Sequence, residues 1–151
     1  MVVSKPDGEL VLGIDRVLAA ARPVVFAAFA DPNELAQWWG PEGFTTPSLE
    51  FEPAVGERYR IEMQPPQGES FHLTGEFREV GAPERLVFTF VWEPADPDDV
   101  ETLVELSFRD QGESTAVRLT QGRFKTEARR DLHRDGWGDS FDKLERHLAA
   151  R

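Results

Sequence analysis

The sequence predicts an α+β fold: a curved, seven-stranded antiparallel sheet wrapped around one long C-terminal helix, with two short helices after the first strand. Two observations lead to this prediction. Apolar side chains recur at every second position from about residue 49 to residue 123, which is the period of a half-buried strand. From about residue 127 to 149 the spacing becomes helical. A length of 151 residues fits one domain, and we expect residues 1–151 to form it.

The N-terminal part predicts one strand followed by two helices. Apolar residues alternate over residues 10–18, which indicates a strand. The pair Arg22-Pro23 then favours the start of a helix, because proline is tolerated in the first turn. A second helix is expected to begin at Asp31 as the N-cap, with Glu34 reaching back to the cap, and to end near Trp39.

The middle of the chain predicts six further strands. Apolar and polar side chains alternate in runs separated by turn-forming glycine, proline and aspartate, near residues 49–52, 58–63, 71–78, 86–92, 102–108 and 117–120. The links between these runs are too short for crossover connections, so neighbouring strands are expected to be antiparallel.

The C-terminal helix is the only long amphipathic element, so we expect it to cover the sheet. Its apolar face consists of four residues at helical spacing, Trp137, Phe141, Leu144 and Leu148. Gly136 and Gly138 flank the tryptophan, and glycine in a helix costs about 1 kcal/mol relative to alanine. We therefore expect a packing reason for these glycines, and a close approach of the helix to the sheet would be one. One helix cannot fill a strongly curved sheet, so a cavity is expected between them.

Five segments in this order resemble a known family. They are Ala21-Arg22-Pro23 before Asp31-Pro32, Trp38-Trp39-Gly40-Pro41, Gly75-Glu76-Phe77 before Pro83-Glu84-Arg85-Leu86, Val87-Phe88-Thr89-Phe90, and Gly136-Trp137 leading to Phe141 and Leu144. On these segments, the chain resembles the activator of heat-shock-protein-90 ATPase homologue family, within the START-like, birch-pollen-allergen-like superfamily, from about residue 10 to 148. The resemblance implies a helix-grip fold with a pocket for small apolar or aromatic molecules.

The resemblance leaves function open, because one fold hosts many sites. Related members include polyketide cyclases and aromatases, lipid carriers, plant hormone receptors and proteins that sequester toxic metabolites, and the family name implies a link to stress response. The eponymous co-chaperones carry a separate N-terminal domain, for which this chain has no room. Stimulation of a chaperone ATPase is therefore expected to be absent or weak.

Composition narrows the expected partners and compartment. The formal net charge of −11 argues against nucleic acid and anionic membranes as partners. The chain has no cysteine, no apparent signal peptide and no apolar run near the roughly 18 residues of a membrane helix, so we expect a cytoplasmic protein, monomeric or homodimeric. The 11 phenylalanines and 4 tryptophans indicate either a large core or a core with a ligand-sized gap.

Motifs for common chemistries are absent from the sequence. There is no Gly-x-Ser-x-Gly turn for a serine nucleophile and no glycine-rich phosphate loop. The three histidines, His72, His133 and His147, are spaced too widely to share a metal ion. We therefore expect no metal and no cofactor.

The predicted pocket combines inward strand residues with the front half of the last helix. Its expected lining is Trp38, Trp39, Met63, Phe77, Phe88, Phe90, Val104, His133, Trp137 and Phe141. Of the two adjacent tryptophans, one is expected in the core and the other at the pocket floor.

A polar mouth is the second feature of the predicted pocket. A helical wheel centred on Trp137 places Arg130, His133 and Arg134 on nearly the same face, where they would either meet water or hold a carboxylate, phenolate or enolate.

The predicted pocket is compatible with three functions. The one we favour is binding of a small apolar or aromatic molecule. The alternatives are a cyclase-, aromatase- or hydrolase-like enzyme with His133 as acid or base, and a protein-interaction module. An open apolar pocket would favour the first, an inward-pointing His133 the second, and a closed interior the third.

Overall fold

The computed structural model describes residues 10–151, and its elements follow the predicted order. They are β1 (Leu12–Leu18), α1 (Arg22–Ala30), α2 (Pro32–Trp38), β2 (Leu49–Glu50), β3 (Arg58–Met63), β4 (Phe71–Gly81), β5 (Arg85–Glu93), β6 (Thr102–Gln111), β7 (Ser114–Gly122) and α3 (Glu127–Ala149).

The seven strands form one antiparallel sheet in the order β1-β7-β6-β5-β4-β3-β2. Strands β2 to β7 are consecutive neighbours, and β1 closes the other edge by pairing with β7. This confirms the predicted fold class. Strand β2 is shorter than the predicted run of residues 49–52, because only Leu49 and Glu50 pair with β3. The ring of Phe51 instead packs in the core, with its centroid 5.5 Å from that of Tyr59 and 5.0 Å from that of Phe77.

The two short helices begin where the sequence predicts, with one difference in the cap of α2. The Asp31 carboxylate accepts a hydrogen bond of 2.8 Å from the backbone N–H of Asn33, as expected of an N-cap. Glu34 does not reach back to the cap. Its carboxylate lies 3.0 Å from His147 Nε2 and also bonds to Arg151, so it ties α2 to the end of α3.

Helix α3 packs its apolar face on the sheet. Trp137, Phe141, Leu144 and Leu148 are all buried, as the spacing predicts. The hydroxyl of Thr126 caps the helix by accepting a hydrogen bond of 3.1 Å from the backbone N–H of Arg129. Within residues 10–151, no helix has the length and hydrophobicity needed to cross a bilayer.

Close approach to the sheet is not the reason for the two α3 glycines. A Cβ at Gly138 would meet no atom within 4 Å, and one at Gly136 would meet only Pro41 Cγ at 3.8 Å. Helix α3 therefore stands away from the sheet around Gly136, because the space beneath it belongs to the cavity described below.

A close approach does occur inside the sheet, at Gly75 of β4. A Cβ at this position would lie 2.0 Å from the carbonyl oxygen of Thr89 and 2.5 Å from the ring of Tyr59. Without a side chain here, Tyr59 can cross β4, and its hydroxyl donates a 2.6 Å hydrogen bond to the Thr89 carbonyl. Glycine at this position thus lets a buried tyrosine satisfy its hydroxyl within the core.

A candidate ligand cavity between helix and sheet

A cavity of about 290 Å³ lies between the front half of α3, strands β3 to β5 and residues 39–44, which we call the mouth loop. Aromatic rings dominate its wall. Trp39 meets Trp137 edge-on with centroids 5.2 Å apart, and Phe90 meets Trp92 in the same way at 5.1 Å. The volume is close to the lower end of the range for ligand pockets, roughly 300–1,000 Å³.

Half of the predicted lining residues lie on this cavity: Trp39, Met63, Phe90, His133 and Trp137. The structure separates the two adjacent tryptophans. Trp38 is fully buried, and its indole N–H donates a 3.0 Å hydrogen bond to the Ala28 carbonyl, whereas Trp39 faces the cavity.

The other predicted lining residues lie in the solid core, away from the cavity wall: Trp38, Phe77, Phe88, Val104 and Phe141. For Trp38 and Phe141 the reason is that α1 packs against them. Phe29 of α1 packs against Trp38 at 4.8 Å and is 6.3 Å from the ring of Phe141. Phe77 and Phe88 pair across β4 and β5 and contact the ring of Tyr59.

Sequence reasoning missed several lining residues. In the mouth loop and the strands they are Gly40, Pro41, Phe44, Phe71, Trp92 and Pro94, and on α3 they are Arg129, Leu132, Gly136 and Ser140. A signal existed for Phe71 and Trp92, because both continue the alternating pattern of their strands and their rings meet at 5.4 Å. No local pattern marks the mouth loop as a wall, since its position depends on contacts with α3.

Lys143 of α3 holds the mouth loop in place. Its three N–H groups lie within hydrogen-bond distance of four backbone carbonyls, those of Trp39 at 3.1 Å, Gly40 at 3.2 Å, and Pro41 and Phe44 at 3.3 Å, so at least one N–H is shared between two of them. Burial against these carbonyls lowers the pKa of Lys143. Lys143 therefore anchors the backbone of the loop that forms one side of the cavity.

Replacing Lys143 with methionine is expected to lower the free energy of unfolding by about 1–3 kcal/mol, because hydrogen bonds from a charged donor are lost. Amide hydrogen exchange in residues 39–44 should become faster. Arg146→Met is the matched control: Arg146 is exposed and pairs with Glu42 of the same loop, and such a surface pair adds little to stability. Equal losses in the two variants, measured by urea unfolding, would contradict the role of Lys143.

His133 is held in its neutral form by two hydrogen bonds. The indole N–H of Trp92 donates to His133 Nε2 at 2.8 Å, and an indole nitrogen can only donate. Nδ1 must then carry the ring proton, which it donates to the Arg129 carbonyl at 2.6 Å. Burial lowers the pKa of His133, in agreement with this arrangement. Both nitrogens are therefore occupied by the protein.

Arg130 and Arg134 are not brought to the cavity. Both guanidinium groups pair with Asp131, at 3.0 and 3.2 Å, and neither lines the wall. The cation at the cavity is Arg129, which bonds to Asp99 in the loop between β5 and β6. The helical wheel misses this, because a long arginine side chain follows its charged partner rather than the direction of its Cα–Cβ bond.

Trp137 combines the cavity wall with a polar contact in the core. Its indole N–H donates a 2.7 Å hydrogen bond to Gln121 Oε1, and Gln121 Nε2 donates in turn to the Thr102 hydroxyl at 2.8 Å. Gln121 is completely buried. Across the described part of the chain, no group of three or more histidine, aspartate or glutamate side chains is placed to hold a metal ion.

The family assignment comes from a family model. The model for activator of Hsp90 ATPase homolog 1-like proteins matches residues 19–149. The chain belongs to this family. It lies within the SRPBCC superfamily, whose helix-grip fold the sheet and α3 display. A search of curated proteins found no match.

Solved structures agree with the family and its fold. The AHSA1 protein of Silicibacter pomeroyi is 27% identical with a TM-score of 0.83, and the match covers 93% of this chain and 98% of that one. A protein from Chromobacterium violaceum is 25% identical with a TM-score of 0.82, over 90% and 94% of the two chains. A protein from Arthrobacter aurescens shares the fold at 19% identity, with a TM-score of 0.83 and coverage of 99% and 92%.

Proposed function

We propose that this protein binds a small apolar or aromatic molecule in the cavity beneath α3, without converting it chemically. The observation that carries the proposal is the cavity itself, an opening of about 290 Å³ walled largely by aromatic rings. Aromatic rings on the wall offer a flat apolar guest a large contact area and favourable ring–ring geometries. A wholly closed interior would instead have favoured the interaction-module interpretation.

The geometry of His133 favours binding over the enzymatic alternative. A general acid or base needs a ring nitrogen within hydrogen-bond reach of the reacting atom. Here one nitrogen accepts from Trp92 and the other donates to the Arg129 carbonyl, so His133 would have to break a protein hydrogen bond before exchanging a proton with a ligand. His133 acts in this proposal as part of the wall.

The proposal extends to partners and compartment. It treats residues 1–151 as one domain, monomeric or homodimeric, acting in the cytoplasm with no cofactor and no nucleic-acid or membrane partner. The support comes from composition. A net charge of −11 repels polyanions such as nucleic acid and anionic membranes, and a chain without cysteine suits a reducing compartment such as the cytoplasm.

The two glycines of α3 offer a matched test. Gly136 lines the cavity, so the side chain of Gly136→Leu should enter it, while Gly138→Leu adds the same side chain outside the cavity wall. We expect Gly136→Leu to weaken binding of the neutral fluorescent probe N-phenylnaphthylamine at least tenfold and Gly138→Leu to leave it unchanged. Probe fluorescence titration measures both affinities.

The stability of the two variants is the control for their binding. Both substitutions replace a helical glycine, so each is expected to add up to about 1 kcal/mol of helix propensity to stability. A loss of binding in Gly136→Leu therefore reports on the cavity and not on unfolding. Failure of the unmodified protein to bind the probe, or equal affinity in both variants, would contradict the proposed site.

A further inference from the structure

The cavity is elongated along α3, whose contribution to the wall runs from Arg129 to Ser140. A separation of this many residues corresponds to about 16 Å along a helix axis. The two ends differ in character. At one end the Arg129 guanidinium pairs with Asp99, whose side chain is only 8% exposed. At the other end the helix contributes the hydroxyl of Ser140, so a ligand lying along the helix meets a different polar group at each end.

Ser140 presents an unpaired hydroxyl to the cavity. The residue is 4% exposed, lies on the inward face of α3 beside Trp137 and lines the wall. Its hydroxyl makes no hydrogen bond within residues 10–151, although a serine in a helix can bond to the backbone carbonyl four residues before it. Two unpaired side-chain atoms in the described part of the chain are fully enclosed, Thr46 Oγ1 and Arg129 Nε, and the Ser140 hydroxyl is not one of them. Its accessible surface therefore lies on the cavity wall.

The glycine at residue 136 explains why this hydroxyl is uncovered. Side chains on a helix lean toward its N-terminus, over the residues three and four positions earlier. The Ser140 side chain therefore leans toward Gly136, which has no side chain to cover it. A Cβ at Gly136 would meet only Pro41 Cγ, at 3.8 Å, so the space beside the hydroxyl is open. Helix α3 thus places an uncovered hydroxyl on the wall of a largely apolar cavity.

We propose that the Ser140 hydroxyl is the polar anchor of the cavity and that it selects a ligand with a neutral oxygen, a hydroxyl or a carbonyl, at one end of a flat apolar body. This inference rests on the proposed function and adds the ligand class and its orientation. A serine hydroxyl both donates and accepts hydrogen bonds, so either kind of ligand oxygen satisfies it. The apolar body then extends beneath α3 toward the rings of Phe90 and Trp92.

A neutral oxygen fits this end of the cavity better than a carboxylate. The cation one turn further along α3 is Lys143, and its three N–H groups are shared among four carbonyls of the mouth loop. Lys143 therefore has no N–H left for a ligand. A carboxylate bound here would bury a negative charge with one hydroxyl as its partner, and burial of a poorly paired charge is far more costly than burial of a neutral oxygen.

Four naphthalene derivatives and the variant Ser140→Ala test the anchor. Naphthol and methyl naphthyl ketone carry a neutral oxygen, methylnaphthalene carries none, and naphthoic acid is ionised at neutral pH. We expect Ser140→Ala to weaken binding of naphthol, of the ketone or of both by at least about fivefold relative to methylnaphthalene, because the buried ligand oxygen loses its partner. Displacement of N-phenylnaphthylamine from each protein measures all four affinities.

Thr115→Val is the matched control. Thr115 is also buried, but its hydroxyl donates a 2.7 Å hydrogen bond to the Ala20 carbonyl, and it does not line the cavity. This variant should unfold at lower urea concentration and leave the relative ligand affinities unchanged. Ser140→Ala should do the opposite: its urea midpoint should stay the same or rise, since no hydrogen bond within the protein is lost and alanine has the higher helix propensity. A lower midpoint with unchanged relative affinities would assign the Ser140 hydroxyl to folding and overturn the inference.

The outcomes distinguish this inference from the proposed function. If methylnaphthalene binds and Ser140→Ala changes the relative affinity of neither neutral oxygen ligand, the inference is overturned and the apolar cavity stands. If naphthoate binds most tightly to the unmodified protein, or if the probe binds and none of the four ligands displaces it, the inference is overturned as well. If neither the probe nor any of the four ligands binds the unmodified protein, the proposed function itself fails.

Discussion

Gly75→Ala is expected to cost about 4 kcal/mol or more in the free energy of unfolding, a large part of the roughly 5–15 kcal/mol by which a typical domain is stable. The added Cβ would lie 2.0 Å from the Thr89 carbonyl oxygen and 2.5 Å from the Tyr59 ring. The backbone carbonyl is held in the sheet and Tyr59 is fully enclosed, so neither can move without breaking the 2.6 Å hydrogen bond that joins them. Urea unfolding followed by circular dichroism gives the loss directly.

Gly13→Ala is the matched control for this substitution. Gly13 is also a strand glycine, in β1, but its added Cβ would meet no atom within 4 Å. Removing glycine from a compatible position stabilises a protein by about 0.4–1 kcal/mol through the unfolded state. Similar stabilities of the two variants would show that β4 tolerates a side chain at residue 75 and would contradict the close approach.

Trp137→Ala is expected to cost about 3–5 kcal/mol, the usual range for removing a large buried side chain. Trp137 is 5% exposed and packs against Trp39 at 5.2 Å. The substitution also leaves Gln121 Oε1 buried without its 2.7 Å hydrogen bond. Thermal and chemical unfolding should both report the loss, and an apolar probe should lose affinity because one cavity wall is gone.

Two further variants separate the contributions of Trp137. Trp137→Phe keeps an aromatic ring but removes the indole N–H, and the unpaired Gln121 should then cost about 1–3 kcal/mol. Leu132→Ala, on the same helix at 56% exposure, should cost less than about 0.5 kcal/mol. A loss below about 0.5 kcal/mol for Trp137→Ala would mean that this helix face contributes little to the core.

The strand and helix pattern was predictable because it depends on local periodicity. Alternation at every second residue located all seven strands, and the spacing of Trp137, Phe141 and Leu144 identified the buried face of α3. Asp31 was recognisable as an N-cap because capping is a contact between residues two apart. Glu34 was not predictable in the same way, because its partners His147 and Arg151 come from the other end of the chain.

The site was only half predictable, since the sequence shows which side chains point inward but not what lies opposite them. Phe77 and Phe88 alternate just as Phe90 does, yet Phe77 and Phe88 are in the solid core and Phe90 faces the cavity. The difference arises from what packs on each ring: Phe51 covers Phe77 and Tyr59 covers Phe88, whereas Phe90 faces the space beneath α3. Gly136 likewise follows no pattern that reveals whether it approaches the sheet or opens a space beneath the helix.

The sequence by itself determined the sheet, the long helix and the expectation of a gap between them, because these follow from residue spacing and from the geometry of one helix on a curved sheet. Only the tertiary structure decided where the gap lies and which cation faces it. Lys143 places the mouth loop through four carbonyls, and Asp99 draws Arg129 to the wall while Asp131 holds Arg130 and Arg134 away. Such selections depend on long-range pairing of flexible charged side chains, which no periodicity encodes.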